Sequence, residues 1–576
     1  MDAALVARRC AAPRVPGVHG AERRGGLRDH RRGRARTPGD HGLERGGHAG
    51  AVRAGRGRHA LRPPRPERRL TPAGTGRAPH AVIVGAGLGG LATAIHLARA
   101  GYRVTVLEQR DAPGGKVRQL AADGFRFDMG PTIFTMPFVL DELFAAAGRD
   151  RRDFVELLPL EPFYRAHFPD GFVFELSSSL TDVLAQVRAM SPDDEPRYVE
   201  YLARAGRIWH EVERHFLDRL FHSWRDLADP ALLAAGLRMD ALTSLSKRVG
   251  GRIRDPRLRQ LLTYQAIYVG ASPDEVPATY ALISYLELAY GVWFPKGGMY
   301  AIATAVERLC REVGVEVRYG AGVERILVEG GRARGVVGTD GAELRADVVV
   351  SNADLHHTYA RLLGDTPRPH MSDATLDALE PSSSAFIVYA GVAKTFPGLP
   401  HHTIVFSDDF ARDLREIFAD RRPLTDPSFY VCAPSVTDPE LAPPGSTALY
   451  LLAPAPYLEG GVDWDALAPS YADRLLERAE RAALPGLRDA ITSLNWYTPA
   501  DFARDYHCHR GSIFGLSARA DQTAFRRPAP RVRDVSGLYL VGGSTQPGGG
   551  VPMVVLGGKL VARLVERDRT DGRWRA

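Results

Sequence analysis

The chain has 576 residues, 44% of them hydrophobic and 25% charged, with 4 scattered cysteines and no apolar run long enough to span a bilayer. This argues for globular domains in a reducing compartment and against disulfide scaffolds, CxxC zinc modules and transmembrane helices. Its formal charge of +7 is unevenly placed: residues 1–80 hold 19 Arg against 6 Asp or Glu, a surplus of 13 that leaves the rest of the chain at −6. The folded body is thus mildly acidic, and nucleic acid is not expected as a partner.

Residues 1–78 form an Arg-, Gly- and Pro-rich tail (RRGRARTPGDHG, RPPRPERR) without aliphatic periodicity, so disorder is expected. No apolar stretch of signal-peptide length follows the first charges, and translation from a start codon set too far upstream in a GC-rich gene is favoured over a transit peptide or an anion-binding arm. From residue 79 the pattern changes. Residues 81–84 (AVIV) predict a buried parallel strand, followed by Gly85, Gly87 and Gly90 at GxGxxG spacing. The first glycine allows a tight turn, the second a close approach of backbone to a pyrophosphate, and the third close packing of the next helix on the strand. Leu91, Ile95 and Leu97 give that helix its apolar side, and Gly101 closes it. A second strand, 103–107, ends in Glu108, 18 residues after Gly90, where an acid can take ribose hydroxyls.

The next residues, RDAPGGK at 110–116, resemble the signature of FAD-dependent amine oxidase-like flavoproteins. Gly114 and Gly115 would permit a second backbone approach, and Lys116 or Arg118 would offer charge to the pyrophosphate. Residues 125–144 (FRFDMGPTIFTMPFVLDELF) read as strand, Gly-Pro turn and helix. Here the likeness narrows, because 114–144 resembles the N-terminal part of bacterial phytoene desaturases and their relatives, the diapocarotenoid desaturases and oxygenases. The resemblance places Asp128, Gly130 and Pro131 beside the flavin. In EPFYRAHFPDG (161–171), a strand pair that also resembles the family, Arg165 sits between apolar neighbours and is a candidate for the substrate site.

Residues 191–251 are expected to be helical. Ile208, Val212, Phe216, Leu220 and Trp224 recur every three to four residues, Trp209, Leu217 and Phe221 widen the stripe, and Arg207, Arg214, Arg219 and Arg225 flank it. Such a helix suits either a bilayer surface or a core. The stretch 292–318 resembles the family's Trp-Phe-Pro-Lys-Gly-Gly turn and following helix; the resemblance puts Val323 near the adenine and uses the SNAD turn at 351–354 to return the chain to the substrate domain. His401 and His402, adjacent on a predicted strand, should point to opposite faces, so no metal site is expected. Residues 537–560 (GLYLVGGSTQPGGGVPMVVLGGKL) predict a strand, a glycine-rich turn with Gly542, Gly543, Gly549 and Gly550, and a helix opening at Val551 and Pro552. In the superfamily such a helix end faces the flavin edge where charge collects. Gln546 stands where many relatives have His or Asn.

The resemblance covers roughly residues 80–565 and implies an α/β two-domain flavoprotein. A Rossmann-like FAD-binding domain is expected from segments 79–155, 292–360 and 501–576; a substrate domain is expected from 156–291, helical and membrane-facing, and 361–500, mainly sheet. It further implies FAD as cofactor and a desaturase that removes hydride and proton from an acyclic isoprenoid, with Asp128 and Arg165 nearest the reacting bond. A lipid-soluble polyene would be the substrate and quinone or oxygen the electron acceptor. The protein would lie peripherally on the cytoplasmic face of the cell membrane. Two alternatives stay open: a diapocarotenoid terminal-methyl oxidase, which HRGSIFG at 509–515 resembles equally well, and a non-enzymatic isoprenoid-binding protein.

Overall fold

The five-stranded parallel sheet that carries the glycine turns is assembled from distant parts of the chain in this computed structural model, which describes residues 77–221 and 229–574. Its strand order is Leu538–Leu540, Val348–Ser351, His80–Val84, Arg103–Leu107, Glu316–Arg318. The registers Ala81↔Val348, Ala81↔Val104 and Val349↔Leu538 align the carboxyl ends of the three central strands, where ligands collect in open parallel sheets. All five residues of His80–Val84 are buried, as expected for a strand covered on both faces. The buried His80 is satisfied by Arg345 O at 2.9 Å and Thr105 Oγ1 at 3.0 Å.

Helix Leu88–Arg99 and the C-terminal helix Val551–Thr570 cover one face of this sheet together. They meet at Gly558, where an added Cβ would lie 2.6 Å from Ala92 Cβ and 2.7 Å from Thr93 N. That close approach brings Leu91, Ile95, Leu556 and Leu560 into one buried cluster, each worth about 1.5–3 kcal/mol of apolar burial.

A second, seven-stranded sheet runs in the order Ile491–Tyr497, Ser384–Val392, Thr447–Ala455, Phe429–Cys432, His402–Val405, Tyr164–His167, Val173–Leu176. It is antiparallel except where His402–Val405 meets Tyr164–His167. All nine residues of Ser384–Val392 are buried, and their alternation divides them between two cores. Phe386, Val388 and Ala390 pack toward helix Trp464–Ala482. Ala385, Ile387 and Tyr389 face a cluster with the helices between 180 and 290.

The predicted helix over 208–224 ends earlier than the hydrophobic spacing suggests. Helix Glu195–His215 stops at His215, Phe216 is its C-cap, and the chain is non-helical through Phe221. Trp224 and the Arg-rich tail to residue 76 lie outside the described residues. Among those residues, no helix is long and apolar enough to cross a membrane.

Candidate functional site

The first turn of the site is built where strand His80–Val84 meets helix Leu88–Arg99. Gly85 takes φ +94° and donates its N–H to Leu107 O at 2.8 Å. Gly87 is the N-cap, with no side-chain cap and no acidic residue in the first turn, so the helix end presents free N–H groups. Glu108 organises the turn from the neighbouring strand. Its Oε2 accepts the Ala86 N–H at 2.8 Å and its Oε1 the Arg110 N–H at 3.0 Å. The second glycine pair presses against the first: Gly114 donates to Ala86 O at 2.9 Å, and a Cβ on Gly115 would come within 3.3 Å of Gly87 Cα.

The C-terminal turn has the same character. Gly542 and Gly548 have φ +134° and Gly550 φ +106°, conformations that L-residues with side chains rarely adopt. Gly550 is the N-cap of Val551–Thr570, again without a side-chain cap or first-turn acid. The segment 513–516 lies against this turn, leaving a Cβ on Gly543 only 3.0 Å from Phe514 O. Gln546 bonds Phe221 N at 2.8 Å, Phe221 O at 3.0 Å and Arg527 O at 3.1 Å; all its polar atoms are thus used in joining chain segments. Arg527 is buried and donates to four main-chain carbonyls, those of Leu516, Ser517, Gln522 and Gly543.

Both helix ends open into one cavity of about 1060 Å³. Two uncapped N-termini, glycine walls that leave backbone bare, and this volume suit a dinucleotide with an anionic centre and a ring system that gains negative charge. The residues present therefore fit FAD. Of the residues expected to contact the cofactor, all but Gly90 and Arg118 line the cavity. Gly90 sits behind the wall, since its Cβ would be 2.4 Å from Gly85 O. Arg118 turns outward to Asp111 at 4.0 Å, whereas Lys116 donates to Ile513 O at 2.8 Å.

Several expectations need correction. Asp128 does not face the cavity: its Oδ2 accepts Met299 N–H at 2.7 Å and its Oδ1 Tyr300 N–H at 3.1 Å, capping helix Tyr300–Glu312. Burial pushes its carboxyl up to about 7 against the pull of those two donors. Arg165 is spent in a cross-strand pair with Glu175, Nε to Oε1 at 2.7 Å, and on Gly398 O at 2.8 Å, again away from the cavity wall. The apolar stripe of 208–221 faces inward: Ile208 and Trp209 are each 1% exposed, and Trp209, Val212, Phe216 and Phe221 line the cavity. Because Asp128 acts as a cap, Asp128→Ala is expected to lower stability by about 2–6 kcal/mol, the cost of two unsatisfied N–H groups, in chemical denaturation. A cap-only role also requires the folded variant to keep its flavin.

His401 and His402 do not diverge as adjacent strand residues should. His401 precedes the strand, and the two ring centroids lie 4.4 Å apart. With Cys432, potential ligand atoms sit within 4.8 Å of one another. Each imidazole Nδ1 is paired with a hydroxyl, of Thr437 at 2.7 Å and Tyr430 at 2.6 Å, and burial holds both rings neutral, His402 down to about 3.

Several lining residues were missed. Asn352 follows the carboxyl end of Val348–Ser351, and a Cβ on Gly87 would be 2.5 Å from its Nδ2; its place just past a central strand was the available signal. The segment 513–516 overlaps the HRGSIFG stretch quoted above, which carried no hint of a place on the wall; Arg527 and Glu287 had no signal beyond a polar residue in apolar surroundings.

The flavin containing amine oxidoreductase family matches residues 88–566. The zeta-carotene-forming phytoene desaturase of Myxococcus xanthus is 40% identical over 83% of this chain and 92% of its own. The 4,4'-diapolycopene oxygenase of a Methylomonas species is 36% identical over 84% and 98%. A solved oxidoreductase from Methanosarcina mazei shares the fold with a TM-score of 0.57 and 20% identity, covering 84% of this chain and all of its own. The chain belongs to the flavin-containing amine oxidoreductase family, and its cofactor is FAD.

Proposed function

We propose that the chain desaturates an acyclic carotenoid precursor. The observation that carries this reading is the continuity of the cavity: from the two glycine turns it runs into a mainly apolar region walled by Tyr264, Ile267, Tyr268, Ile283, Tyr430 and Tyr450, which suits a hydrocarbon substrate. The relative at 40% identity supports it.

FAD, when bound, supplies the acceptor for a hydride. The chain's own residues would do the rest. Gly85, Gly87 and the N-terminus of Leu88–Arg99 would hold the pyrophosphate, Glu108 the ribose, and Gly542 to Pro552 the flavin's polar edge. The apolar wall orients the polyene and excludes water, which keeps charge that develops on carbon from being quenched. Quinone or oxygen is the proposed final acceptor of the electrons.

A second reading, oxidation of a terminal methyl, is favoured by the 36% identical diapolycopene oxygenase. Pigment analysis by chromatography and mass spectrometry separates the two. A host that makes phytoene should accumulate more conjugated hydrocarbons if the chain is a desaturase, whereas an oxygenated end group in a diapocarotenoid host would support the alternative. Unchanged pigments in both hosts would sink both.

Bilayer contact is proposed at helix Pro230–Arg238 and the turn after it, in place of the inward-facing 208–221 stripe. Leu232 and Ala235 anchor this helix in the core, while Leu233, Leu237 and Leu242 are 58%, 69% and 93% exposed. Met239, Ala241 and Leu242 also line the cavity, so Leu242, the most exposed of the three leucines, belongs to its wall. Three leucines entering the headgroup boundary could contribute a few kcal/mol. Replacing Leu233, Leu237 and Leu242 together by Ser is expected to leave folding and flavin content intact and to abolish co-sedimentation with liposomes; retained sedimentation would assign the contact elsewhere.

A further inference from the structure

The hydrocarbon end of the cavity contains one carboxyl among the described residues, Glu287 on helix Leu282–Tyr290. Its residue is 2% exposed, and among the described residues no Lys, Arg or His is paired with it. The one hydrogen bond to its carboxyl among the described residues comes from Gln265 Nε2, at a long 3.4 Å. That amide is oriented from behind, because Gln265 Oε1 accepts from Ser284 Oγ at 2.9 Å, which in turn meets Tyr201 OH at 3.1 Å. Three neutral groups thus aim a donor at a carboxyl whose other titratable neighbours are buried phenols. For stability alone this arrangement is costly, since a buried carboxyl without a charge partner is normally selected against. It is the placement expected of a group whose proton is to move.

We propose that Glu287 is the catalytic base of the cavity, taking the proton that the substrate loses as the new double bond forms; this rests on the desaturase reading above. Two C–H bonds on adjacent carbons break. One leaves with its electron pair as hydride to the bound flavin, so the substrate is oxidised by two electrons and the flavin reduced. The other breaks toward Glu287: its electrons become the π bond and its proton goes to a carboxylate oxygen, giving the neutral acid. A carboxylate in low-dielectric surroundings also stabilises the positive charge that hydride loss leaves on carbon.

The same surroundings set the pH dependence. Burial raises the Glu287 carboxyl to about 8. The titratable groups facing it are the phenols of Tyr164 on the adjacent sheet, Tyr198 and Tyr201 on helix Glu195–His215, and Tyr268. Burial raises all four, so they stay neutral while Glu287 titrates. The base form therefore grows as pH rises through about 8, and turnover should rise with it to a plateau.

The test compares wild-type holoenzyme with Glu287→Gln, Glu287→Asp and Gln265→Leu, each purified from a phytoene-producing host and assayed in liposomes containing phytoene. Glu287→Gln cannot accept a proton. It should keep its flavin, carry unreacted phytoene extractable from the purified protein, lose turnover by about 100-fold or more, and lose the rising pH limb. Glu287→Asp should restore part of the rate. Turnover of Glu287→Gln within threefold of wild type, with the limb intact, would overturn the proposal. If that variant does not fold, Gln265→Leu decides: removing the donor to the charged form should shift the limb to higher pH with flavin content unchanged, and an unmoved limb overturns it. A flavin-loaded wild type that makes no desaturated product overturns the desaturase reading itself, and the proposal with it.

Discussion

Gly87→Val is expected to give a folded, colourless protein. Gly87 has φ −70° and ψ 165°, a conformation open to any residue, so the substitution imposes no backbone strain. The nearest obstacle to a Cβ is Asn352 Nδ2 at 2.5 Å, the end of a side chain that can rotate away. The helix and both strands should therefore form. What could not move is a cofactor phosphate held, as proposed, at this turn, which would need the bare backbone to reach the free N–H groups of Leu88–Arg99. Valine methyl groups would occupy that space, and charge-assisted hydrogen bonds of about 1.5–3 kcal/mol each would be lost together. The check is a native-like circular dichroism spectrum and gel-filtration profile without flavin absorbance; a normal flavin complement would show that the pyrophosphate lies elsewhere.

Gly558→Val should fail earlier, at folding. Here a Cβ would lie 2.6 Å from Ala92 Cβ, 2.7 Å from Thr93 N and 3.0 Å from Ala92 C. Two of these are main-chain atoms of Leu88–Arg99, which cannot shift without moving the whole helix off the parallel sheet. Overpacking of a core costs about 1–3 kcal/mol where neighbours can adjust. A forced separation adds lost contact between Leu91, Ile95, Leu556 and Leu560, a total that approaches the roughly 5–15 kcal/mol stability of an ordinary domain. Insoluble protein, or a denaturation midpoint far below wild type, is the expected result. Gly236→Ala, where nothing lies within 4 Å of the new Cβ, is the control expected to fold normally. A stable, soluble Gly558→Val would mean the two helices pack less closely than described.

Against these tests, the glycine-rich end of the cavity was legible in the residues themselves. Strand, glycine turn, helix, strand and acid fall within 80–108, and each step of that unit is a local matter: glycine where backbone must be bare, alternating apolar positions where a helix meets a sheet, an acid at the end of the next strand. Gly85, Gly87, Glu108 and the 542–552 turn consequently all lie on the cavity wall. A family resemblance carried the substrate class, which no local pattern encodes.

Side-chain destinations were a different matter, because partners far away in the chain decide them. Asp128 was expected beside the reacting bond, yet the N–H groups of Met299 and Tyr300, some 170 positions on, claim both its oxygens. Arg165 was taken by Glu175 and Gly398. The spacing of Ile208, Val212, Phe216 and Phe221 does predict an apolar side, but an amphipathic stripe looks the same whether it meets lipid or a core. Its direction shows only in the fold, where Phe221 is held at its backbone N–H and carbonyl by Gln546, 325 residues away. Glu287 reads in sequence as one acid in the apolar run LISYLELAY. Only the folding of Gln265, Ser284 and Tyr201 around it turns that acid into an oriented, uncompensated carboxyl. The sequence by itself thus determined the nucleotide-binding frame, where backbone conformation and residue size act over a few positions; the tertiary structure alone decided which polar side chains face the substrate, because burial and hydrogen-bond pairing are properties of segments brought together from opposite ends of the chain.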